Sequence, residues 1–155
     1  MGNYFYYFVR VIFFVTFLFI IPSVMAQTLT DAMNINTSGI IAQRVKMTVI
    51  ADNMANLMTL KDEATGLPYQ KKYVSLEASE MGVKILGVER SREPFGRYFD
   101  PAAPQADENG YFYLPNVSMP HEMITLKHTE MMFDANIGAF KSSMAMYRTA
   151  VELLK

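Results

Sequence analysis

Residues 119–155 read MPHEMITLKHTEMMFDANIGAFKSSMAMYRTAVELLK, and apolar residues recur there with a period of seven. One row of sevens contains Met123, Glu130, Ile137, Met144 and Val151. A second row contains Leu126, Phe133, Phe140, Tyr147 and Leu154. Nine of these ten positions are apolar or Tyr, which is typical of an amphipathic helix whose seam packs against another helix.

This segment predicts one long C-terminal helix over residues 119–155. Pro120 suits a first helical turn, because its missing N–H would have no intrahelical partner there. A helix of over 30 residues exceeds the usual globular range, so the pattern indicates a coiled coil or a helix bundle.

A weaker version of the same period runs through residues 27–60. One row contains Met33, Ile40, Met47 and Met54, and the other contains Asn36, Gln43, Ile50 and Leu57. The two polar residues in this seam lower stability but can fix register and partner choice. Gly39 costs about 1 kcal/mol relative to Ala and indicates close packing or a local bend. We predict a second long helix here.

Residues 61–118 have the composition of a small β insert. A turn at Thr65-Gly66-Leu67-Pro68 precedes predicted strands at 69–77, 83–90, 97–99 and 111–114, and a loop rich in Pro, Asn and Gly spans 100–110. The predicted fold class is α+β, in which long N- and C-terminal helices form a coiled-coil-like bundle with a small antiparallel β insert between them.

Residues 1–26 differ from the rest of the chain. Arg10 precedes an apolar run over residues 11–21, and short residues near Ala26 offer a cleavage site, which is the arrangement of a secretory signal peptide. Residues 4–21 also approach the ~18 residues that a membrane span needs. A third interpretation is a misassigned start, with Met25 as the true first residue.

Composition excludes several classes of function. The net charge is −1, so we expect no nucleic-acid binding. The absence of Cys removes thiolate catalysis and zinc sites with sulfur ligands. His121-Glu122 lacks the second His four residues after the first that a zinc-protease helix requires. We therefore expect no enzyme activity, cofactor, metal or small-molecule substrate.

The helical seams instead indicate an assembly subunit. The β insert is too small to cover two long apolar helix faces, so some of that surface needs a partner. Open-ended pairing of terminal helices between copies or related chains would build a filament.

The residues Ala51-Asp-Asn-Met-Ala-Asn56 resemble the A-N-N-I-A-N motif of flagellar axial proteins. Residues 32–44, 98–107, 110–117 and 133–140 also resemble the basal-body rod proteins of this family, in the family's order and spacing. Asp52 departs from the usual Asn. Members of the family begin near the position of Met25 and are exported through the flagellar type III apparatus without a cleaved signal, which favours the misassigned start.

The resemblance implies a structural subunit of the proximal rod, which spans the periplasm in the flagellar basal body. Such a subunit polymerises through its terminal helices, called axial helices below, and transmits torque from the motor ring to the distal rod and hook. The implied partners are further copies, rod subunits of the FlgB, FlgF and FlgG types, and the rod-base protein FliE. The alternative from another class is a membrane-anchored periplasmic interaction protein that retains residues 4–21 as a span.

The predicted assembly interface consists of seam positions on both axial helices, together with two Asn residues of the motif. The Asn amides are expected to satisfy backbone groups where the first helix stops, and ordinary C-capping would explain them equally well. The full set is Met33, Ile40, Met47, Ile50, Asn53, Met54, Asn56, Leu57, Met123, Leu126, Phe133, Ile137, Phe140, Met144, Tyr147, Val151 and Leu154.

Overall fold

A computed structural model describes the backbone of residues 2–61 and 65–153, and the side chains of residues 28–61 and 65–153. The elements in chain order are α1 (Gly2–Ala55), β1 (Lys72–Ser79), β2 (Gly82–Arg90), β3 (Gly96–Phe99), β4 (Tyr111–Leu114) and α2 (Met119–Glu152). Two long helices therefore flank a small antiparallel β insert, which confirms the predicted α+β fold class.

The two helices run antiparallel along each other. Asn53 near the end of α1 contacts Glu122 in the first turn of α2, and Gly39 farther back on α1 abuts Asn136. At about 1.5 Å per residue, the 34 residues of α2 extend about 50 Å. The helix begins after Ser118, whose backbone is extended, close to the predicted start.

α1 ends at Ala55, earlier than the predicted helical segment of residues 27–60. Asn56, Leu57 and Met58 form a turn instead. The N–H of Asn56 still donates to the carbonyl of Asp52 at 3.1 Å, and the N–H of Thr59 donates to the carbonyl of Asn56 at 3.1 Å. The first is an ordinary helical bond and the second a tighter bond over three residues, and together they satisfy the carbonyls of Asp52 and Asn56 where the helix stops.

The insert contains two separate two-stranded antiparallel sheets, one of β1 and β2 and one of β3 and β4. In the first sheet Ser75 pairs with Gly87 but Leu76 pairs with Ile85, so Leu86 is the extra residue of a β-bulge. Because of the bulge, Val88 lies on the same face of the sheet as Ile85, although the two are three residues apart. Strand β1 starts at Lys72, later than predicted.

The tip of the first hairpin lies directly on α1. Gly82 has φ +112, and a Cβ at this position would lie 2.1 Å from the Oγ of Ser38 and 3.1 Å from the Cα of Ile35. The N–H of Val83 donates to the same Oγ at 3.0 Å. Only glycine meets both the backbone angle and the available space.

The apolar core is small and lies near the C-terminal end of α1. Its buried members are Ala42, Val49, Ile50, Tyr69 and Val74. Within the part of the chain whose side chains are described, no helix combines the length and apolarity needed to cross a membrane. The side chains of residues 4–21, the predicted span or signal core, lie outside that part.

Candidate assembly interface

Small and polar residues form the closest part of the α1–α2 contact. On α2 the buried residues Glu122, Thr129 and Ser143 lie in one row of sevens. Glu122 and Asn136 of this row contact α1 directly. The Oγ1 of Thr129 donates to the carbonyl of Thr125 at 2.7 Å, so its buried hydroxyl is satisfied within the helix. This row precedes the predicted Met123 row by one residue.

Gly39 of α1 lies opposite Asn136, the third position of that small and polar row. A Cβ on Gly39 would lie 2.9 Å from the Nδ2 and 3.0 Å from the Cγ of Asn136. The glycine therefore permits close approach of the two helices, one of the two explanations that the sequence left open.

Most residues of the predicted α1 seam are only partly buried, so the seam does not coincide with the most buried side of the helix. Ile50 is buried at 5% exposure, and Leu57 lies beyond the helix end in the turn. The other seam residues are partly buried, namely Met33, Asn36, Ile40, Gln43, Met47 and Met54.

The predicted seam of α2 divides into two groups. Its partly buried members are Leu126, Glu130, Phe133, Ile137, Phe140 and Met144. Its exposed members are Met123, Tyr147 and Val151, with 56%, 37% and 39% of their surface accessible. Leu154 lies outside the described residues.

Further apolar side chains on α2 are exposed although they belong to neither predicted row. Ile124 is 71% exposed, and Met131, seven residues later, is 62% exposed. The same row continues with Gly138 and Ala145, which are also exposed. The sequence contained one signal for this exposed row, since apolar or small residues repeat every seven positions along it.

Asn53 is the centre of a buried polar junction and is 1% exposed. Its Nδ2 donates to the carbonyl of Lys72 at 2.9 Å and to the Oε2 of Glu122 at 3.1 Å. Its Oδ1 accepts from the hydroxyl of Tyr69 at 3.0 Å and from the N–H of Lys72 at 2.9 Å. One amide thus uses its full hydrogen-bonding capacity to connect α1, the segment entering β1, and α2.

Glu122 completes the junction with a buried carboxylate. Its Oε1 lies 2.8 Å from the Nζ of Lys71, and the two side chains are 2% and 22% exposed. Oε1 of Glu122 accepts no hydrogen bond of acceptable angle from any described residue. Its polar contact is therefore this ion pair with Lys71. A carboxylate so deeply buried requires an opposite charge, and Lys71 supplies it.

Polar contacts continue from Lys71 toward the second sheet. The N–H of Lys71 donates to the Oδ1 of Asn116 at 2.7 Å, and the Nδ2 of Asn116 donates to the carbonyl of Glu93 at 2.9 Å. The carbonyl of Lys71 accepts from the N–H of Ser91 at 2.7 Å. The N–H of Tyr69 donates to the carbonyl of Thr59 at 2.9 Å and the N–H of Lys71 donates to a side chain, so neither is available for strand pairing, which explains why no strand begins at Tyr69.

The two Asn residues of the motif have different surroundings. Asn56 is partly exposed, and its Nδ2 donates to the carbonyl of Asp52 at 2.8 Å, which is a local C-terminal cap. Its Oδ1 accepts from the hydroxyl of Thr59 at 3.1 Å. Asn53 instead makes long-range contacts. The sequence did not single out Glu122 or Lys71 for this role, because their relation to Asn53 is not local.

The chain is similar to known flagellar proteins. It is 30% identical to the flagellar basal-body rod protein FlgC of Bacillus subtilis, over 83% of this chain and 100% of that protein. It is 31% identical to FlgC of Aquifex aeolicus, over 81% and 96% of the two chains, and 30% identical to FlgC of Salmonella typhimurium, over 77% and 93%. No protein-family model matches the sequence. With such identity over nearly the whole of these relatives, the chain belongs to the FlgC family of flagellar basal-body rod proteins.

Proposed function

We propose that this chain polymerises into the flagellar basal-body rod through its two axial helices. It is a structural component of that rod and not an enzyme. The observation that carries the proposal is the exposed apolar surface of α2. Ile124 and Met131 there are 71% and 62% exposed. A soluble monomer rarely leaves a large apolar patch uncovered, so such a surface favours contact with a neighbour.

The interface we propose uses two groups of residues. The partly buried seam residues, such as Phe133 and Phe140, hold α1 and α2 together within one subunit. The exposed seam residues Met123, Tyr147 and Val151, together with the row from Ile124 to Ala145, contact neighbouring subunits. Gly138 and Ala145 in that row are small, which allows a neighbouring helix to approach closely.

The same architecture suits the transmission of torque. The long helices provide stiff elements, and the Asn53 junction connects both of them to the β insert. A load applied to one helix is therefore passed to the other through buried, hydrogen-bonded contacts rather than through a flexible linker. In this proposal residues 27–60 and 119–155 are the axial helices, residues 61–118 are the insert, and residues 1–26 are an extension outside the polymerising part.

The proposed neighbours are other rod components. The named relatives are all basal-body rod proteins, which supports contacts with proteins of the same structure. We retain subunits of the FlgB, FlgF and FlgG types, further copies of this chain, and the rod-base protein FliE as the proposed partners.

The test is complementation of a strain that lacks this chain. Met131→Asp places a charge on the exposed row of α2, and we expect loss of motility and of the chain from isolated basal bodies. Lys84→Glu is the control, because it changes the charge at an exposed position of strand β2, outside the proposed interface. Normal incorporation of Met131→Asp would overturn the proposed interface. Carbonate-resistant membrane association, lost when residues 1–24 are deleted, would favour the anchored alternative instead.

A further inference from the structure

A cavity of about 160 Å³ lies beside the buried junction, between α1, β1 and the start of α2. Three lysines line it, namely Lys46 of α1, Lys71 just before β1 and Lys72 at the start of β1. His121 also lines it, and Ile50 and Val74 contribute buried apolar surface. The cavity therefore combines several cations with an apolar wall.

The charges around this cavity do not cancel. Glu122 is the one acidic residue among the described side chains that line it, and its carboxylate already pairs with Lys71 at 2.8 Å. Lys46 has no hydrogen bond or ion pair with any residue whose side chain is described. The ammonium of Lys72 lies 5.4 Å from the ring centroid of Tyr69, a cation–π contact that leaves its charge in place. Two positive charges thus remain without a carboxylate.

The neighbouring strand does not supply the missing negative charge. The residue paired with Lys72 across the β1–β2 sheet is Arg90, another cation. The next pair joins Tyr73 to Glu89, and the Oε2 of Glu89 accepts the hydrogen bond of the Tyr73 hydroxyl at 3.0 Å. Glu89 keeps its negative charge, but its carboxylate is directed to the Tyr73 hydroxyl on the hairpin and does not line the cavity.

The start of α2 adds to the positive potential. His121 lies in the first turn of α2 and lines the cavity, so the N-terminal end of the helix lies at its rim. Ser118 makes no side-chain hydrogen bond to the free N–H groups of that end. The N-terminus of a helix carries a partial positive charge, which acts in the same direction as the lysines.

We propose that this cavity binds the carboxylate of an acidic side chain presented by an adjoining subunit. The inference rests on the proposed function, because it assigns one specific contact within the assembly. The apolar wall suits the methylene stem of a Glu or Asp side chain, and Lys46 and Lys72 suit its carboxylate. Charge-assisted hydrogen bonds of this kind strengthen when the partner covers the site and removes water.

The direct test uses the purified full-length chain and small probes at constant ionic strength. N-acetylglutamate amide is expected to shift the NMR signals of the Asn53 side-chain amide and the backbone amides near Lys72 and Tyr73. N-acetylglutamine amide has the same shape without the charge and is expected to shift them little. Equal shifts with both probes would overturn the proposal.

Variants locate the binding. Lys46→Gln with Lys72→Gln should weaken the glutamate response at least fivefold, while Lys84→Gln with Lys127→Gln, the same change at exposed positions, should retain it. An unchanged response in the first variant would contradict the proposal. Inorganic phosphate forms the third arm, and tenfold tighter binding of phosphate than of the glutamate probe would assign the cavity to a phosphate instead.

Assembly in cells separates this inference from the proposed function. Absence of the wild-type chain from purified basal bodies would contradict the proposed function itself. When the wild-type chain is present, we expect Lys46→Glu with Lys72→Glu to reduce its incorporation at least tenfold. We expect Lys61→Glu with Lys84→Glu, the same change at exposed positions outside the two helices, to leave it unchanged. Circular dichroism checks that both variants fold. Normal incorporation of the first variant would overturn the cavity proposal alone.

Discussion

The side-chain amide of Asn53 donates to the carboxylate of Glu122 at 3.1 Å, across 69 positions of sequence. This bond connects the end of α1 to the first turn of α2 at the point where the chain enters the β insert. Both residues are 1% exposed, so the contact is shielded from water. Buried polar groups are costly when unpaired and specific when fully paired, which makes this pair the most informative place to test the fold.

Asn53→Ala should lower the free energy of unfolding by about 3 kcal/mol, because the hydroxyl of Tyr69 and the backbone groups of Lys72 lose their buried partner. Urea denaturation of the purified chain measures the effect. Asn34→Ala is the control, since Asn34 is an exposed residue of the same helix and its replacement should change stability by less than about 0.5 kcal/mol. Equal effects of the two substitutions would contradict the role given to Asn53.

The ion pair between Lys71 and Glu122 can be tested by a double-mutant cycle with Lys71→Met and Glu122→Gln. We expect a coupling energy of about 2 kcal/mol, because Glu122 is almost completely shielded from water. The control cycle uses Lys127→Met and Glu130→Gln. Their charged atoms lie 3.3 Å apart, but the side chains are 74% and 44% exposed, so the coupling should be well under ~1 kcal/mol. Similar values in both cycles would show that burial does not strengthen the pair.

Two helical glycines should respond differently to alanine. A Cβ on Gly138 meets nothing within 4 Å, so Gly138→Ala should stabilise the isolated chain by about 1 kcal/mol through helix propensity. Gly39→Ala should lose that gain, because its Cβ would lie 2.9 Å from the Nδ2 of Asn136. Thermal unfolding measures both. In a chain that also carries Asn136→Ala, Gly39→Ala should regain its stabilising effect. If Gly39→Ala and Gly138→Ala stabilise the otherwise unchanged chain equally, the close contact at Gly39 is contradicted.

The pKa of Tyr73 lies above its ordinary value of 10.0, chiefly because the hydroxyl donates a hydrogen bond to Glu89 and also because the negative charge of Glu89 disfavours a phenolate. The protonated form is therefore favoured by folding. This contribution to stability is complete below pH 10.0 and is lost as the pH rises through the pKa of the folded state.

Absorbance titration of the tyrosinate, with Tyr73→Phe subtracted to identify the residue, measures this shift. Glu89→Gln should lower the pKa of Tyr73 toward the ordinary value. Arg92 lowers the same pKa, so Arg92→Gln should raise it further. Glu77→Gln changes a carboxylate elsewhere on the hairpin and should have no effect. An unchanged titration in Glu89→Gln would contradict the assigned cause.

Some features of the fold follow from local chemistry and were predicted well. Strand β4 matches its predicted bounds, because Tyr111 to Leu114 is a run of strongly β-forming residues between a loop and a proline. Strand β1 was predicted to start at Tyr69 but starts at Lys72. The reason lies in tertiary contacts, since the hydroxyl of Tyr69 donates to Asn53 and the N–H of Lys71 donates to Asn116.

The sequence by itself determined the two long helices, the β insert between them and the family, because heptad spacing and the Ala51–Asn56 motif are local patterns. Only the tertiary structure decided which row of α2 faces α1. Seven-residue spacing is shared by every row around a helix, so periodicity cannot select one. The choice depends on how closely the backbones approach at Gly39 and on the pairing of Asn53 with Glu122, and both are contacts between residues far apart in sequence.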